Sequence, residues 1–204
     1  MNNFMKTQPP LQFKIATEER EFELIHRLNY KTFVEEIPQH HPDPARRLVD
    51  KFHPENTYVI CLSGTQLIGM LAVRGKRPFS LDQKLANLDS LLPAGRQLCE
   101  VRLLAVEKEF RSGQVFQGLL ALVVQFCIQR GYDTAIISGT TRQQKLYRHL
   151  GFVPFGPVVG TGEALFQPMY LTKESFEAQM EEFLRTTQPR DATVSAPAST
   201  TPAA

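Results

Sequence analysis

The chain has 204 residues, of which 23 are Lys or Arg and 21 are Asp or Glu, so its net charge is +2. This balance gives no general reason to expect a nucleic-acid partner. The length suits one α/β domain with a sizeable core and is short for two. No window approaches the roughly 20 apolar residues of a membrane span, and the first ten residues lack the apolar core of a signal peptide. We therefore expect a cytoplasmic protein without a membrane span.

Cysteine and histidine give no sign of a disulfide framework or a metal site. Three cysteines lie in apolar runs: Cys61, Cys99 and Cys127. Their odd number and their spacing favour small buried thiols of a reducing compartment. His40 and His41 stand beside Asp43, but adjacent residues do not easily chelate one ion, and the neighbouring prolines mark a surface loop. No metal is expected.

Composition divides the chain into a short leader, one domain and a tail. Residues 1–10 are expected to be a flexible N-terminus, and residues 11–185 the folded domain. From residue 186 to residue 204 the chain is rich in Thr, Ala, Pro and Ser, which bury too little apolar surface to offset chain entropy. These residues are predicted to be a disordered tail or a linker.

The first elements in chain order are a strand, a helix and a hairpin. Residues 11–15 alternate as a strand, and Thr17 is predicted to start a helix. One face of that helix is apolar: Phe22, Ile25, Leu28 and Phe33. Residues 58–62 and 67–73 flank a turn that contains Gly64, which predicts an antiparallel hairpin.

The next segments combine a long connection with a strand that carries charges. Residues 75–96 are too apolar for a solvated loop, so they are expected to fold over one face of the sheet. Residues 98–106 are apolar on both faces, as a central strand should be. Glu100 and Arg102 nevertheless lie within this strand on a single face, where charges are expensive unless paired or used.

A turn and alternating elements complete the domain. The turn Arg111-Ser112-Gly113-Gln114 precedes an apolar-periodic helix that ends at Gly131, so backbone N–H groups and the positive end of a helix dipole lie at the carboxyl edge of the sheet. A strand at 134–137 and a short helix at 141–150 follow. Strands at 152–155 and 166–171 then close the sheet, before a last helix at 174–184.

This succession resembles the GNAT superfamily of acyltransferases over most of residues 11–172. Arg111 stands at the proper distance before Leu119-Leu120, and Leu146-Tyr147 and Gly151-Phe152 match the later pattern. Gln114 and Phe116 occupy the places of the two motif glycines, with Gly113 one residue early. The resemblance implies an α/β fold with a mixed, largely antiparallel central sheet that is flanked by helices on both faces.

Two further segments are similar to the branch that contains acyl-homoserine-lactone synthases and N-acyl amino acid synthases. The segment from Leu28 to Glu36 resembles that branch's Leu-Arg-Tyr-x-x-Phe, with Asn29 where an Arg is usual. Glu100-Val101-Arg102-Leu103 is similar to its Glu-x-x-Arg, with the Arg one residue early. On a regular strand this shift places Arg102 on the same side as Glu100, unless a bulge intervenes.

The resemblance assigns expected roles to residues. Glu100 is the expected general base or the group that positions the amine, and Tyr147 the acid that protonates the leaving thiolate. Arg102 is expected to orient Glu100 or to bind a carboxylate of the acceptor, and Phe33 and Asn29 are expected to contact the acceptor. The acyl donor is expected to contact two segments: Leu104, Ala105 and Val106, then Arg111, Ser112, Gly113, Gln114, Val115 and Phe116. Alternatively, Glu100 and Arg102 form a self-satisfied buried ion pair, and Tyr147 only packs.

The predicted function is transfer of an acyl group from a thioester of coenzyme A or an acyl carrier protein to a small primary amine, such as an amino acid. No sequence pattern points to an acyl-enzyme nucleophile, so direct transfer in a ternary complex is the simpler mechanism. Two alternatives are a non-catalytic GNAT-like module that binds acyl thioesters, and a structural domain tethered by its tail.

Two surfaces have open interpretations at this stage. Arg142, Lys145 and Arg148 lie three apart on a helix and form either a solvated face or a docking patch for an acidic acyl carrier protein. The apolar residues of segment 78–92 either line a tunnel for a longer acyl chain or belong to the core.

Overall fold

A mixed sheet of eight strands forms the centre of the protein, in a computed structural model that describes residues 9–111, 113–162 and 164–187. Residues 1–8 of the predicted N-terminus, Ser112, and residues 188–204 of the tail predicted from 186 lie outside these ranges, whereas residues 186–187 end the last helix. The strands are β1 (Leu11–Ile15), β2 (Thr57–Ser63), β3 (Gln66–Arg74), β4 (Leu98–Val106), β5 (Thr134–Thr140), β6 (Val153–Pro154), β7 (Val159–Thr161) and β8 (Ala164–Thr172).

The strand order is β1-β2-β3-β4-β5-β8-β6, and β7 pairs with β8. Every pair is antiparallel except β4 with β5, which is parallel. The predicted hairpin is β2–β3, and Gly64 takes the left-handed conformation, at φ +60°, that its turn requires. The predicted fold class is confirmed.

Helix α1 (Glu19–Tyr30) covers one face of the sheet, and a π-helical segment, Lys31–Glu36, continues it. The N-cap is Glu18, one residue after the predicted Thr17, and it forms a capping box with Glu21. Under α1, Ile25 and Leu28 pack on the side chains that β2 and β3 direct to this face. We call this side the α1 face.

Helix α2 (Gln114–Arg130) covers the opposite face, which we call the α2 face. Its apolar stripe packs on the alternate residues of the same strands: Val115, Leu119, Val123 and Phe126 on Val59, Cys61, Ile68, Leu71, Val73 and Cys99. Gly131 ends the helix in the left-handed conformation, as predicted. The remaining helices are α3 (Gln144–His149) and α4 (Lys173–Thr187), and none of the described helices is long and apolar enough to cross a membrane.

The connection between β3 and β4 folds back over the sheet on the α1 face. Its apolar side chains form a third core cluster with Ile136 and Phe155: Phe79, Leu81, Leu85, Leu88 and Leu92. The expectation that this segment folds over one face is confirmed. The core alternative is confirmed for these five residues, which are buried, and of residues 78–92 only Ser80 and Lys84 line the cavity described below.

Strand β4 bends away from β5 after its first residues. The two strands pair only from Leu98 to Glu100, against residues 134–136. In the pairing of β4 with β3, Ala72 pairs with Arg102 and Met70 pairs with Ala105, so β4 has one extra residue in this interval, which is a bulge. Within the bulge, Leu103 has φ +56°. A positive φ at a leucine costs energy and is commonest at functional sites. The bulge and the divergence open a gap in the middle of the sheet.

Candidate active site

A cavity of about 1460 Å³ occupies the gap between β4 and β5 and is lined from both faces of the sheet. On the α1 face apolar residues such as Phe33 and Leu48 are joined by a group of polar and charged ones: Asn29, Thr32, Asp50, Ser80, Lys84, Glu100 and Arg102. On the α2 face they are mostly apolar: Val101, Leu120, Val123, Leu146, Leu150 and Phe152. The cavity therefore joins a polar chamber on one side of the sheet to an apolar channel on the other.

The Glu100 carboxylate is held at the centre of the polar chamber. It is 1% exposed, and its Oε2 accepts a hydrogen bond of 2.9 Å from the Ser80 backbone N–H. The Ser80 hydroxyl donates to Oε1. Ser80 arrives from the β3–β4 connection, so no local sequence pattern could have placed it against Glu100. These two hydrogen bonds fix the position of the carboxyl group in the chamber.

Arg102 shares the face of Glu100, as the sequence predicted for a regular strand. Its Nε lies 3.6 Å from Glu100 Oε2, and its Nη1 donates to Asp50 at 2.8 Å. Asp50 in turn accepts hydrogen bonds from the Asn56 side chain at 2.9 Å and from the Phe52 backbone at 3.0 Å. Arg102 is therefore a bridge between two carboxylates, and its role in acceptor binding stays a prediction.

Asn29 and Phe33 line the same chamber from α1 and its π-helical extension. Asn29 is fully buried and donates weakly to the Leu48 carbonyl at 3.4 Å. Within the described residues, its Oδ1 and the nearby Thr32 Oγ1 have no hydrogen-bond partner. Buried polar atoms without partners are costly. Both residues line the cavity, and Thr32 was not singled out from the sequence.

Lys84 is a second cavity residue that the sequence did not reveal. Its ammonium lies 3.4 Å from Ser138 Oγ and 4.9 Å from the centre of the Phe166 ring. Burial lowers the pKa of Lys84, and the nearby Glu100 charge opposes that shift. Ser138 is two residues beyond Ile136 on β5, so the two side chains share the α1 face. Lys84 therefore lies across the gap from Glu100.

Tyr147 lines the cavity from the opposite side. Its ring lies against Gly139, where an added Cβ would stand 2.7 Å from the ring, so only glycine leaves room at this position of β5. Burial raises the pKa of Tyr147, and hydrogen bonds with Thr140 offset part of the increase. The phenol therefore stays protonated at neutral pH.

The structure places Glu100 and Tyr147 at one cavity but not in contact. Glu100 pairs with Ile136 on β5, and Tyr147 packs on Gly139, three residues farther along. At the rise of a strand this is about 10 Å. The two groups lie on opposite faces of the sheet, so atoms that react in the gap would have Glu100 on one side and Tyr147 on the other.

The predicted donor contacts lie at the carboxyl end of β4 and the start of α2. Beyond Glu100 the edge of β4 that faces β5 has no strand partner among the described residues. Backbone groups of 104–106 on this edge therefore lack a strand partner, although the Val106 carbonyl accepts a hydrogen bond from Arg111. Gly113, at φ +96°, precedes α2, whose first internal hydrogen bond is Gln117 N–H to the Gly113 carbonyl. The N–H groups of residues 114–116 are thus free of helical partners.

Side chains near this turn differ in orientation. Val115 is buried in the core, and Phe116 lines the cavity. Arg111 turns back on the protein: its Nε donates to the Val106 carbonyl at 2.8 Å and its Nη2 to Glu36 at 2.5 Å. Its side chain is 43% exposed, so it can rotate toward an anion at the helix start.

Comparisons with known proteins agree with this geometry. The family model described as "N-acyl amino acid synthase FeeM" matches residues 24–173, which confirms the predicted resemblance and favours an enzyme over a non-catalytic module. No curated protein matches the chain significantly.

Solved structures share the fold at low sequence identity. BjaI, a coenzyme A-dependent acyl-homoserine lactone synthase solved with SAM and isopentyl-CoA, has a TM-score of 0.69 at 19% identity, over 85% of this chain and 89% of that one. FeeM, from uncultured soil microbes, has a TM-score of 0.69 at 19% identity, over 86% and 98%. An acyl-CoA N-acyltransferase from Pseudomonas aeruginosa has a TM-score of 0.56 at 14% identity, over 79% and 99%.

Proposed function

Because the chain belongs to the family of the N-acyl amino acid synthase FeeM and is an N-acyltransferase, we propose that it transfers an acyl group from an acyl thioester to the amino group of an amino acid. The single observation that carries this proposal is the cavity through the sheet, polar on the α1 face and apolar on the α2 face. Two substrates that enter from opposite faces meet in the gap between β4 and β5.

The donor lies on the α2 face in this proposal. Amide groups of a pantetheine arm pair with the free edge of β4 at residues 104–106, much as a further strand would. The N–H groups of residues 114–116 and the dipole of α2 favour the phosphates of coenzyme A. The apolar wall from α2 and α3, with Leu120, Val123 and Leu146, accommodates the acyl chain.

The acceptor lies on the α1 face, in the chamber that contains Glu100, Arg102, Asn29 and Phe33. The Glu100 carboxylate attracts the incoming ammonium and takes one of its protons, directly or through a water. Arg102 holds the carboxylate in place by its contact at 3.6 Å. Glu100 is the expected base for the proton that the amine must lose.

The reaction then proceeds by direct attack. The amine nitrogen adds to the thioester carbonyl, the carbon–sulfur bond breaks, and the thiolate takes a proton from the Tyr147 phenol. The second proton that the nitrogen must lose reprotonates the Tyr147 phenolate through water, and Glu100 releases its proton to solvent. A phenol with a raised pKa stays protonated until a strongly basic thiolate forms nearby. Holding both substrates in one cavity supplies most of the rate acceleration, because it removes the entropy cost of their encounter.

The donor carrier is either coenzyme A or an acyl carrier protein, and one feature favours each. The free N–H groups at the start of α2 suit the diphosphate of coenzyme A. The side chains of Arg142, Lys145 and Arg148 are exposed beside the cavity wall formed by α3, which suits an acidic carrier protein.

The test is amine-dependent release of thiol. The purified chain is incubated with acyl-coenzyme A of graded chain length, or with an acylated carrier protein, and pooled amino acids are added. We expect free thiol and an N-acyl amino acid of matching mass to appear together, and neither to appear without an amine. Thiol release that does not depend on an amine, or no turnover with either carrier, would contradict the proposed function.

A further inference from the structure

Lys84 carries a positive charge into the acceptor chamber without a carboxylate partner. Among the described residues, no Asp or Glu forms an ion pair with it, and its nearest polar contact is Ser138 Oγ at 3.4 Å. Its ammonium faces the Phe166 ring at 4.9 Å. Lys84 is an exposed residue that lines the cavity, so its ammonium can reach a ligand that enters there.

The charges around Lys84 leave the chamber with excess positive charge. Glu100 and Asp50 are both held by Arg102, at 3.6 Å and 2.8 Å. Lys51 also lines the cavity, where its ammonium bonds the neutral Gln83 side chain and lies 4.8 Å from the centre of the Phe52 ring. Arg111 and Glu36 also line the cavity and pair with each other at 2.5 Å. The remaining charges on this side are three cations and two carboxylates, so a ligand with one negative charge would balance them.

The position of Lys84 fits an anion on the acceptor and not on the donor. Lys84 contacts Ser138, on the α1 face of β5, whereas the predicted phosphate-binding turn lies at the start of α2 on the other face. Ser138 is two residues beyond Ile136, the partner of Glu100, which is about 7 Å along the strand. An α-amino acid has its ammonium and its carboxylate on one carbon. It can therefore point the ammonium toward Glu100 in the gap and the carboxylate toward Lys84.

We propose that Lys84 binds the carboxylate of the acceptor and thereby selects amino acids over amines that lack a carboxylate. This inference rests on the proposed function, since it requires an amine acceptor in the chamber. Lys84 is a specificity-determining residue in this account. It does not exchange a proton with the reacting atoms, since Glu100 is the proposed base and Tyr147 the proposed acid.

The experiment compares one amino acid acceptor with its own carboxamide, using the full chain and one acyl donor at saturation. The two acceptors share amine and side chain and differ only in the carboxylate. Lys84→Gln removes the charge, Lys84→Arg keeps it, and Lys76→Gln is the matched control. Lys76 pairs with Glu55 at 3.6 Å on the surface and does not line the cavity.

We expect Lys84→Gln to lower kcat/KM for the amino acid by about 10- to 100-fold, as for a lost hydrogen bond between charged groups. The loss should lie mainly in KM, kcat/KM for the carboxamide should change less than about threefold, and Lys84→Arg should restore much of the difference. Equal losses for both acceptors, or no loss for the amino acid, would overturn the proposal while the acyltransferase function stands. If the wild-type chain acylates neither acceptor, the proposed function fails and this inference with it.

Discussion

The Arg102 guanidinium lies 3.6 Å from the Glu100 carboxylate on the same face of β4, and the bulge of that strand begins only after Arg102. Regular alternation is therefore kept between the two residues, and the backbone is distorted where β4 leaves β5. The ion pair and the opening of the sheet are thus adjacent features of one strand. This arrangement puts a buried charge beside the place where two substrates can meet.

Replacement of Glu100 by Gln should remove the proton acceptor and keep the fold. The amide oxygen can still accept the hydrogen bond that the Ser80 N–H donates at 2.9 Å. We expect kcat/KM for amine acylation to fall by about 10²- to 10⁴-fold, the usual range for a general base. Thermal unfolding followed by circular dichroism checks the fold, and exposed Glu109→Gln is the control. Full turnover of Glu100→Gln at every pH would show that Glu100 is only a structural ion-pair partner.

Replacement of Tyr147 by Phe should slow acyl transfer without loosening its helix. The ring contact with Gly139 is retained, and only the hydroxyl near Thr140 is lost. We expect kcat to fall about 10- to 100-fold, with little change in the KM of either substrate, because the phenol acts on the leaving thiolate. Steady-state kinetics with a thiol reagent measures both constants. A higher donor KM at unchanged kcat would instead indicate a packing role.

Arg111 is expected to leave Glu36 and bind the phosphates when coenzyme A is present. Arg111→Ala should therefore raise the Kd of acyl-coenzyme A by roughly tenfold, the effect of one charge-assisted hydrogen bond. An acyl-pantetheine without phosphates is the matched ligand, and its Kd should be the same for both proteins. Calorimetric titration measures each Kd. An equal change for both ligands would mean that Arg111 acts by holding β4 through the Val106 carbonyl.

Tyr58 contacts the chamber through Asn56 and Asp50, and it should make the free energy of unfolding depend on pH in the alkaline range. Its hydroxyl accepts a hydrogen bond from Asn56 at 3.1 Å, and Asn56 also bonds Asp50. Burial raises the pKa of Tyr58 to about 12, above the ordinary value of 10.0. A raised folded-state pKa contributes stability that is present below about pH 10 and lost as the pH rises through about 12.

The wild-type chain should therefore lose about 2 kcal/mol more unfolding free energy than Tyr58→Phe between about pH 9 and pH 11.5. Urea denaturation of both proteins at the two pH values measures this difference. Identical pH dependence of the two proteins would mean that Tyr58 has the same pKa in the folded and unfolded states.

Local patterns in the sequence predicted the parts of the fold that depend on local chemistry. The hairpin around Gly64 and the end of α2 at Gly131 follow from turns that favour glycine, and both were correct. The π-helical turn at Lys31–Glu36 could not be predicted from the sequence, because its i to i+5 hydrogen bonds have no residue signature. Leu103 likewise belongs to no class that favours a positive φ.

Some residues of the candidate site could be predicted from the sequence, and others could not. Glu100 and Arg102 could be found because charges within an apolar strand are conspicuous, and Tyr147 because of the family pattern. Ser80, Lys84 and Asp50 reach the chamber through long connections, so their places depend on tertiary packing. Asn29 was found by its place in the motif, whereas its unpartnered Oδ1 is visible only in three dimensions.

Direct reaction of both substrates in one cavity is tested by initial velocities measured while the concentrations of donor and acceptor are both varied. We expect double-reciprocal lines that intersect, because donor and acceptor must be bound together before the thioester is attacked. Parallel lines, together with release of thiol before any amine is added, would indicate an acyl-enzyme intermediate and contradict the account.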